Sequence, residues 1–143
     1  MQTVKTLIVD DNADFRRRVM EFLSAEPDVE VVGQAADVEE ALRKATALKP
    51  AVVLMDVRLP GTDGISATHE IRQRMPDVKV IVLSRFDVQE YREAAKASGA
   101  SAYVTKRDMM QDLLPAIRRG VSKPVSPRVP SPGGAARASE RPG

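Results

Sequence analysis

Two adjacent carboxylates, Asp10 and Asp11, follow directly on the apolar run Leu7-Ile8-Val9, and a third, Asp56, follows directly on Val52-Val53-Leu54-Met55. Ser84 comes straight after a run ending at Leu83, and Lys106 stands just beyond one ending at Val104. In an open α/β sheet, ligands bind where loops leave the carboxyl ends of the strands. If these runs lie side by side as strands, three carboxylates, one hydroxyl and one ammonium group share one end of the sheet. Carboxylates do not gather without a counter-charge: at an effective dielectric of about 20, each pair about 4 Å apart costs about 4 kcal/mol. Lys106 supplies one positive charge. An oxygen-only ligand set with room for water suits magnesium, which takes one or two carboxylates together with a phosphate. Beside such an ion Asp56 can act as a carboxylate nucleophile toward a phosphoryl donor, forming an acyl phosphate. The ion and Lys106 would neutralise charge on the transferred group. Asp10 and Asp11 alone would read as a helix cap in a solvated turn. Their combination with Asp56, Ser84 and Lys106 is what asks for a metal and a phosphate.

The elements that must position these groups are legible in the hydrophobic pattern. Short apolar runs, each followed by a stretch of helical period, indicate repeated βα units around a parallel sheet. Strands are predicted at Thr6 to Val9, Val29 to Ala35, Val52 to Met55, Val78 to Leu83 and Ala102 to Val104. Four are nearly continuous in apolar residues, as strands covered on both faces should be. The second, carrying Glu30 and Gln34, alternates and is read as an edge. Helical stripes run through Phe15, Val19, Phe22 and Leu23; Val38, Ala41, Leu42, Ala45 and Leu48; Ile65, Thr68, Ile71 and Met75; and Met110, Leu113, Leu114 and Ile117. Asp37 with Glu40, Asp87 with Glu90, and Asp108 with Gln111 have capping-box spacing. Pro27, Pro50, Pro76 and Gly99 are stop signals. The expected fold is α/β, a doubly wound five-stranded parallel sheet with five helices.

At 143 residues, with 43% hydrophobic and 29% charged residues, the chain allows one domain with an appendage. The domain is expected over residues 1–120 and a disordered tail over residues 121–143, because prolines and glycines crowd that stretch and large apolar side chains are almost missing. The tail carries +3 of the +2 total charge, so the rest carries −1 and offers no strong attraction to a polyphosphate. Cysteine is absent and His69 is the single histidine, which excludes disulfides and thiolate or histidine metal cages. No apolar run approaches the roughly 18 residues of a spanning helix, and the N-terminus has no secretory pattern. A cytoplasmic location without membrane contact is expected.

Up to about Gly120 the chain resembles the receiver domain of two-component response regulators. The resemblance rests on Leu7-Ile8-Val9-Asp10-Asp11-Asn12, on Met55-Asp56-Val57-Arg58-Leu59-Pro60-Gly61-Thr62-Asp63-Gly64, on Leu83-Ser84-Arg85 and on Tyr103-Val104-Thr105-Lys106, in that order. It implies a flavodoxin-like fold and a phosphoacceptor signalling domain rather than a turnover enzyme. A histidine kinase would donate the phosphoryl group to Asp56. Asp11, Asp56 and the Arg58 main-chain carbonyl would ligate Mg2+, with Asp10 acting through water. Ser84 and Lys106 would bind phosphoryl oxygens, and Tyr103 would turn inward as the Ser84 hydroxyl moves. An unnamed downstream protein, and room for a homodimer, complete the implied partners, with no direct nucleic-acid contact.

Arg107 stands where many receivers have proline after the lysine, as in the branch usually joined to helix-turn-helix output domains, and Arg85 stands where a small residue is common. No helical pattern for such an output follows Gly120. Other readings are an interaction module that works without phosphate, or a relative that has lost its output domain. A phosphatase of the haloacid dehalogenase type would need Asp-x-Asp after the first strand, which is not present. His69 reads as a surface or partly buried helix residue and Arg16 to Arg18 as a solvated helix face.

Overall fold

The computed structural model describes residues 3–60 and 62–121. In chain order the elements are β1 (Val4–Val9), α1 (Ala13–Ser24), β2 (Val29–Ala35), α2 (Val38–Leu48), β3 (Val52–Asp56), β4 (Arg58–Leu59), β5 (Thr62–Asp63), α3 (Gly64–Arg74), β6 (Lys79–Ser84), α4 (Gln89–Ala97), β7 (Ala102–Thr105) and α5 (Met109–Val121). Five strands form one parallel sheet in the order β2-β1-β3-β6-β7, so β2 is an edge as its alternation predicts. The chain leaves β1 toward β2 on one side and is joined by β3 on the other. That reversal opens a crevice at the carboxyl ends of β1 and β3, the usual ligand position in such sheets.

Period-two alternation along the central strands divides the core into two layers. Leu7, Val9, Val53, Met55, Val80 and Val82 face α2, α3 and α4, meeting Ala41, Ala45, Ala67, Ile71 and Ala95. Ile8, Val52, Leu54, Ile81 and Leu83 face α1 and α5, meeting Val19, Leu23, Leu113, Ala116 and Ile117. Each fully buried Leu, Ile or Val contributes about 1.5–3 kcal/mol relative to exposure, which is what holds the helices against the sheet. At the far end of α5, Arg118 reaches both carboxylate oxygens of Asp28, at 2.9 and 3.1 Å, and Glu26 at 2.9 Å. Its guanidinium holds the Asp28 carboxyl below the ordinary range. Among the described residues no helix is long and apolar enough to cross a membrane.

Several sequence expectations need correction. The α5 stripe holds at Leu113, Leu114 and Ile117 but not at its first position, where Met109 is buried and Met110 is 68% exposed, because Met109 lies four residues before Leu113 on the core face. Leu48, at the last residue of α2, is also exposed. Only the first capping box forms as read, with Glu40 N–H on the Asp37 carboxylate at 2.8 Å and Ala36 N–H on the Glu40 carboxylate at 2.9 Å. Asp87 instead takes the Arg92 guanidinium at 2.8 Å, and α4 starts after Val88 with no side-chain cap. Asp108 receives the Thr105 hydroxyl on its carboxylate, while its main-chain carbonyl accepts from Gln111 and Asp112. The β4–β5 hairpin was not expected. All but the first residue of the predicted tail lies outside the described residues.

Lys49 caps α2 in the left-handed region at φ 52°, directly before Pro50. A side chain there is strained where glycine is not. Lys49→Gly should therefore raise stability by about 0.5–1 kcal/mol, measured by urea denaturation.

Candidate functional site

Strand register assembles the site. Val9 pairs with Met55, so the residue after each, Asp10 and Asp56, are neighbours across β1 and β3. Asp56 pairs with Leu83 and Ser84 with Thr105, which brings Ser84 and then Lys106 to the same end. The Lys106 ammonium lies 2.8 Å from Asp10 Oδ2 and 3.5 Å from Asp56 Oδ1. One carboxylate oxygen from each of Asp10, Asp11 and Asp56 falls within 4.8 Å of the others. All five predicted residues line a single open pocket of about 470 Å³, together with Arg58. Tyr103 stands apart from it, on β7.

Burial sets the electrostatics. Asp10 and Asp56 are 2% and 8% exposed, whereas Asp11 is open to solvent. Asp10 is well satisfied, taking the Asn12 N–H at 2.9 Å on one oxygen and Lys106 on the other. Asp56 is less so. Desolvation by burial, opposed by the Lys106 charge and reinforced by the Asp10 charge, pushes its carboxyl up to about 6. A buried acidic pair beside one ammonium and a third, exposed carboxylate is a donor set of hard oxygens short of positive charge, which fits Mg2+.

Other residues join the site that their types did not announce. Arg16 is half-buried rather than a solvated surface group; it donates to the Asp10 main-chain carbonyl and, from Nε, to Gln34 Oε1 at 3.0 Å. Arg17 pairs with Asp14, and Arg18 lines the pocket. A Cβ on Gly64 would stand 1.8 Å from the Asp56 carbonyl oxygen, so the start of α3 packs directly on the backbone of the candidate nucleophile. Asp63 caps α3 through the Ser66 N–H at 2.7 Å. At the mouth, the Arg58 guanidinium lies 5.1 Å from the centroid of the Phe86 ring, beside exposed Arg85. Phe86 also links the two predicted switch residues. Its N–H donates to Ser84 Oγ at 3.0 Å and its carbonyl accepts from the Tyr103 hydroxyl at 2.6 Å. The Tyr103 ring carries the Arg92 guanidinium 4.8 Å from its centroid. His69 is exposed on α3.

The family model for the response regulator receiver domain matches residues 6–118, most of the chain and the entire site. The chain belongs to this receiver domain family. Response regulator protein VraR of Staphylococcus aureus is 38% identical over 119 residues, covering 82% of this chain. The match covers 56% of VraR, so the chain spans about half the length of the curated relatives it matches. A two-component response regulator of the LuxR family from Aurantimonas sp. SI85-9A1 superposes with a TM-score of 0.81 at 32% identity, covering 92% of this chain and 91% of that one. The response regulator domain of Thermotoga maritima CheB superposes at 0.78, also 32% identical, covering 86% of this chain and all of that domain. The doubly wound flavodoxin-like receiver fold expected from the sequence is the fold observed.

Proposed function

We infer that this receiver takes a phosphoryl group from a histidine kinase onto Asp56 and passes the change to a protein-binding face. The observation that carries the reading is the Lys106 ammonium standing between two buried carboxylates, Asp10 and Asp56, in a pocket that Asp11 and Ser84 complete. Held by Asp10, Asp11, Asp56 and the Arg58 carbonyl, Mg2+ would supply the positive charge that lets the Asp56 carboxylate meet an anionic donor. Lys106 then has one oxygen-binding role on each side, keeping Asp10 in place and pairing with the incoming phosphoryl oxygens. Ser84, buried and already a hydrogen-bond acceptor, has a hydroxyl proton to offer to the same group.

The phosphoryl group brings about −1.5 to −2 charge into the pocket. Movement of the Ser84 hydroxyl toward it alters the bond from Phe86 N–H, and Phe86 carries Tyr103 on its carbonyl. α4 is the element best placed to respond. It is the shortest helix described, buries only Ala95, and is tied to Tyr103 and Asp87 through Arg92. The α4–β7–α5 face is therefore read as the output face. The −1 net charge of the chain before Val121 favours a protein over a nucleic acid as its direct partner. Residues 1–120 are read as the signalling unit and the Pro- and Gly-rich stretch from Val121 as a tail.

Incubation with acetyl phosphate and Mg2+ tests the assignment by intact mass. The parent should gain one phosphoryl group, and Asp56→Asn none. A parent that stays unmodified with acetyl phosphate and with candidate kinases would favour an interaction module independent of phosphate. Arg85 lies exposed at the mouth of the pocket. Its side chain should hinder water, so Arg85→Ala is expected to shorten the acyl-phosphate lifetime roughly twofold to fivefold, followed by loss of labelled phosphate.

A further inference from the structure

The Lys106 Nζ lies 4.0 Å from the centroid of the Phe15 ring, and Phe15 is half-buried in the wall of the acidic pocket. We propose that Phe15 is a positioning residue for Lys106, its ring face holding the ammonium group in place to meet the phosphoryl group on Asp56.

A lysine ammonium has three N–H donors on a stem with four rotatable bonds, and confining it costs about 2 kcal/mol of side-chain entropy. Two carboxylates restrain it here, Asp10 at 2.8 Å and Asp56 at 3.5 Å. An aromatic face within about 6 Å attracts the cation further, more strongly where water is excluded, and the Lys106 side chain is only 16% exposed. The ring does this without presenting an oxygen that would compete with the phosphoryl group. It also lacks the charge that a third carboxylate would add to an already acidic site. Geometry for the contact comes from one short segment. Asn12 donates its N–H to Asp10 Oδ1 at 2.9 Å and accepts the Phe15 N–H on its own side-chain oxygen at 3.0 Å, so one residue holds both the carboxylate beside Lys106 and the main chain that carries the ring. The chain has five aromatic residues, and among the described residues three of them take cations, Phe15, Phe86 and Tyr103.

The inference rests on the phosphoacceptor reading for its effect on rate, but not for the contact itself. Two measurements on Phe15→Leu and Phe15→Tyr separate them. In the NMR spectrum the Lys106 side-chain protons of the parent should lie upfield of those of other lysines through the ring current. Phe15→Tyr should keep that shift and Phe15→Leu should lose it. The rate of phosphorylation by acetyl phosphate at saturating Mg2+ should fall roughly threefold to tenfold in Phe15→Leu and return in Phe15→Tyr. Unshifted Lys106 protons in the parent, or equal rates in the parent and Phe15→Leu, would overturn the proposal, as would equal slowing in both variants. If no form accepts phosphate, the functional reading fails, while the proton shifts still decide whether the ring holds Lys106.

Discussion

Gly64→Ala is expected to destabilise the domain by about 3 kcal/mol or more and to cost phosphorylation in whatever fraction remains folded. The added Cβ would sit 1.8 Å from the Asp56 carbonyl oxygen and 2.7 Å from the carbonyl carbon. Both are main-chain atoms of β3, at the centre of the sheet, so neither can swing away as a side chain could. Relief requires α3 to lift from the end of β3, which breaks the Gly64 N–H bond to the Val57 carbonyl at 2.6 Å and disturbs the buried Thr68 hydroxyl bond to the Gly64 carbonyl. Gly33→Ala is the control. Its Cβ would meet only side-chain tips, Leu48 at 2.9 Å and Leu7 at 3.3 Å, and Leu48 is 37% exposed, with solvent to turn into. That variant should lie within about 1 kcal/mol of the parent. Denaturant midpoints for the two variants check the contrast, and equal midpoints would show that the α3 start does not brace Asp56.

Asp56→Asn should abolish phosphorylation and also make the metal-free protein more stable at neutral pH. The folded-state carboxyl is pushed up to about 6 from an ordinary value of 3.8, chiefly by burial. The folded protein therefore holds its proton more tightly than the unfolded chain. By linkage, the contribution of Asp56 to stability in the metal-free parent falls as pH rises from about 4 to about 6, and the loss is complete above that window. Asparagine keeps the shape without the charge. Its gain at pH 7 should be of the order of 1–3 kcal/mol, roughly 5–10 °C in melting temperature, and its pH slope between 4 and 6 should flatten. Adding Mg2+ should raise the melting temperature of the parent, because the cation relieves the same excess of negative charge, and should do much less for the variant. Calorimetry across pH, with and without Mg2+, measures both. A gain from Asp56→Asn that is the same at pH 4 as at pH 7 would contradict the burial argument.

Much of this protein was legible along the chain because its fold is written in local patterns. Nearly continuous apolar runs identified four of the sheet strands, and alternation identified β2 and its place at the edge, since burial on one or both faces leaves a period that neighbours in sequence reveal. The site was legible for a related reason: in a parallel sheet the carboxyl ends all lie on one side, so residues that follow successive strands converge whatever the details of packing. Asp10, Asp11, Asp56, Ser84 and Lys106 do converge. Where a residue had two polar options, its type and spacing could not choose. Asp87 has the spacing of a cap but binds Arg92, and Asp108 binds Thr105 with the carboxylate expected to cap α5. The start of the α5 face, burying Met109 and exposing Met110, likewise depended on which of two adjacent methionines met the sheet.

The sequence by itself determined the order of the strands and helices, the end of the sheet at which chemistry gathers, and the acidic and basic groups found there. Tertiary structure alone decided what surrounds those groups: a ring under Lys106, a guanidinium on the Asp10 carbonyl, a glycine against the Asp56 backbone, and one residue, Phe86, joining Ser84 to Tyr103. The physical reason is range. Periodicity and turn chemistry act over a few residues and leave a trace in the order of the chain, whereas the Phe15–Lys106 and Phe86–Tyr103 contacts join separate βα units, and the approach of Arg16 to Asp10 and of Gly64 to Asp56 depends on a loop path that is fixed only once strand and helix have packed.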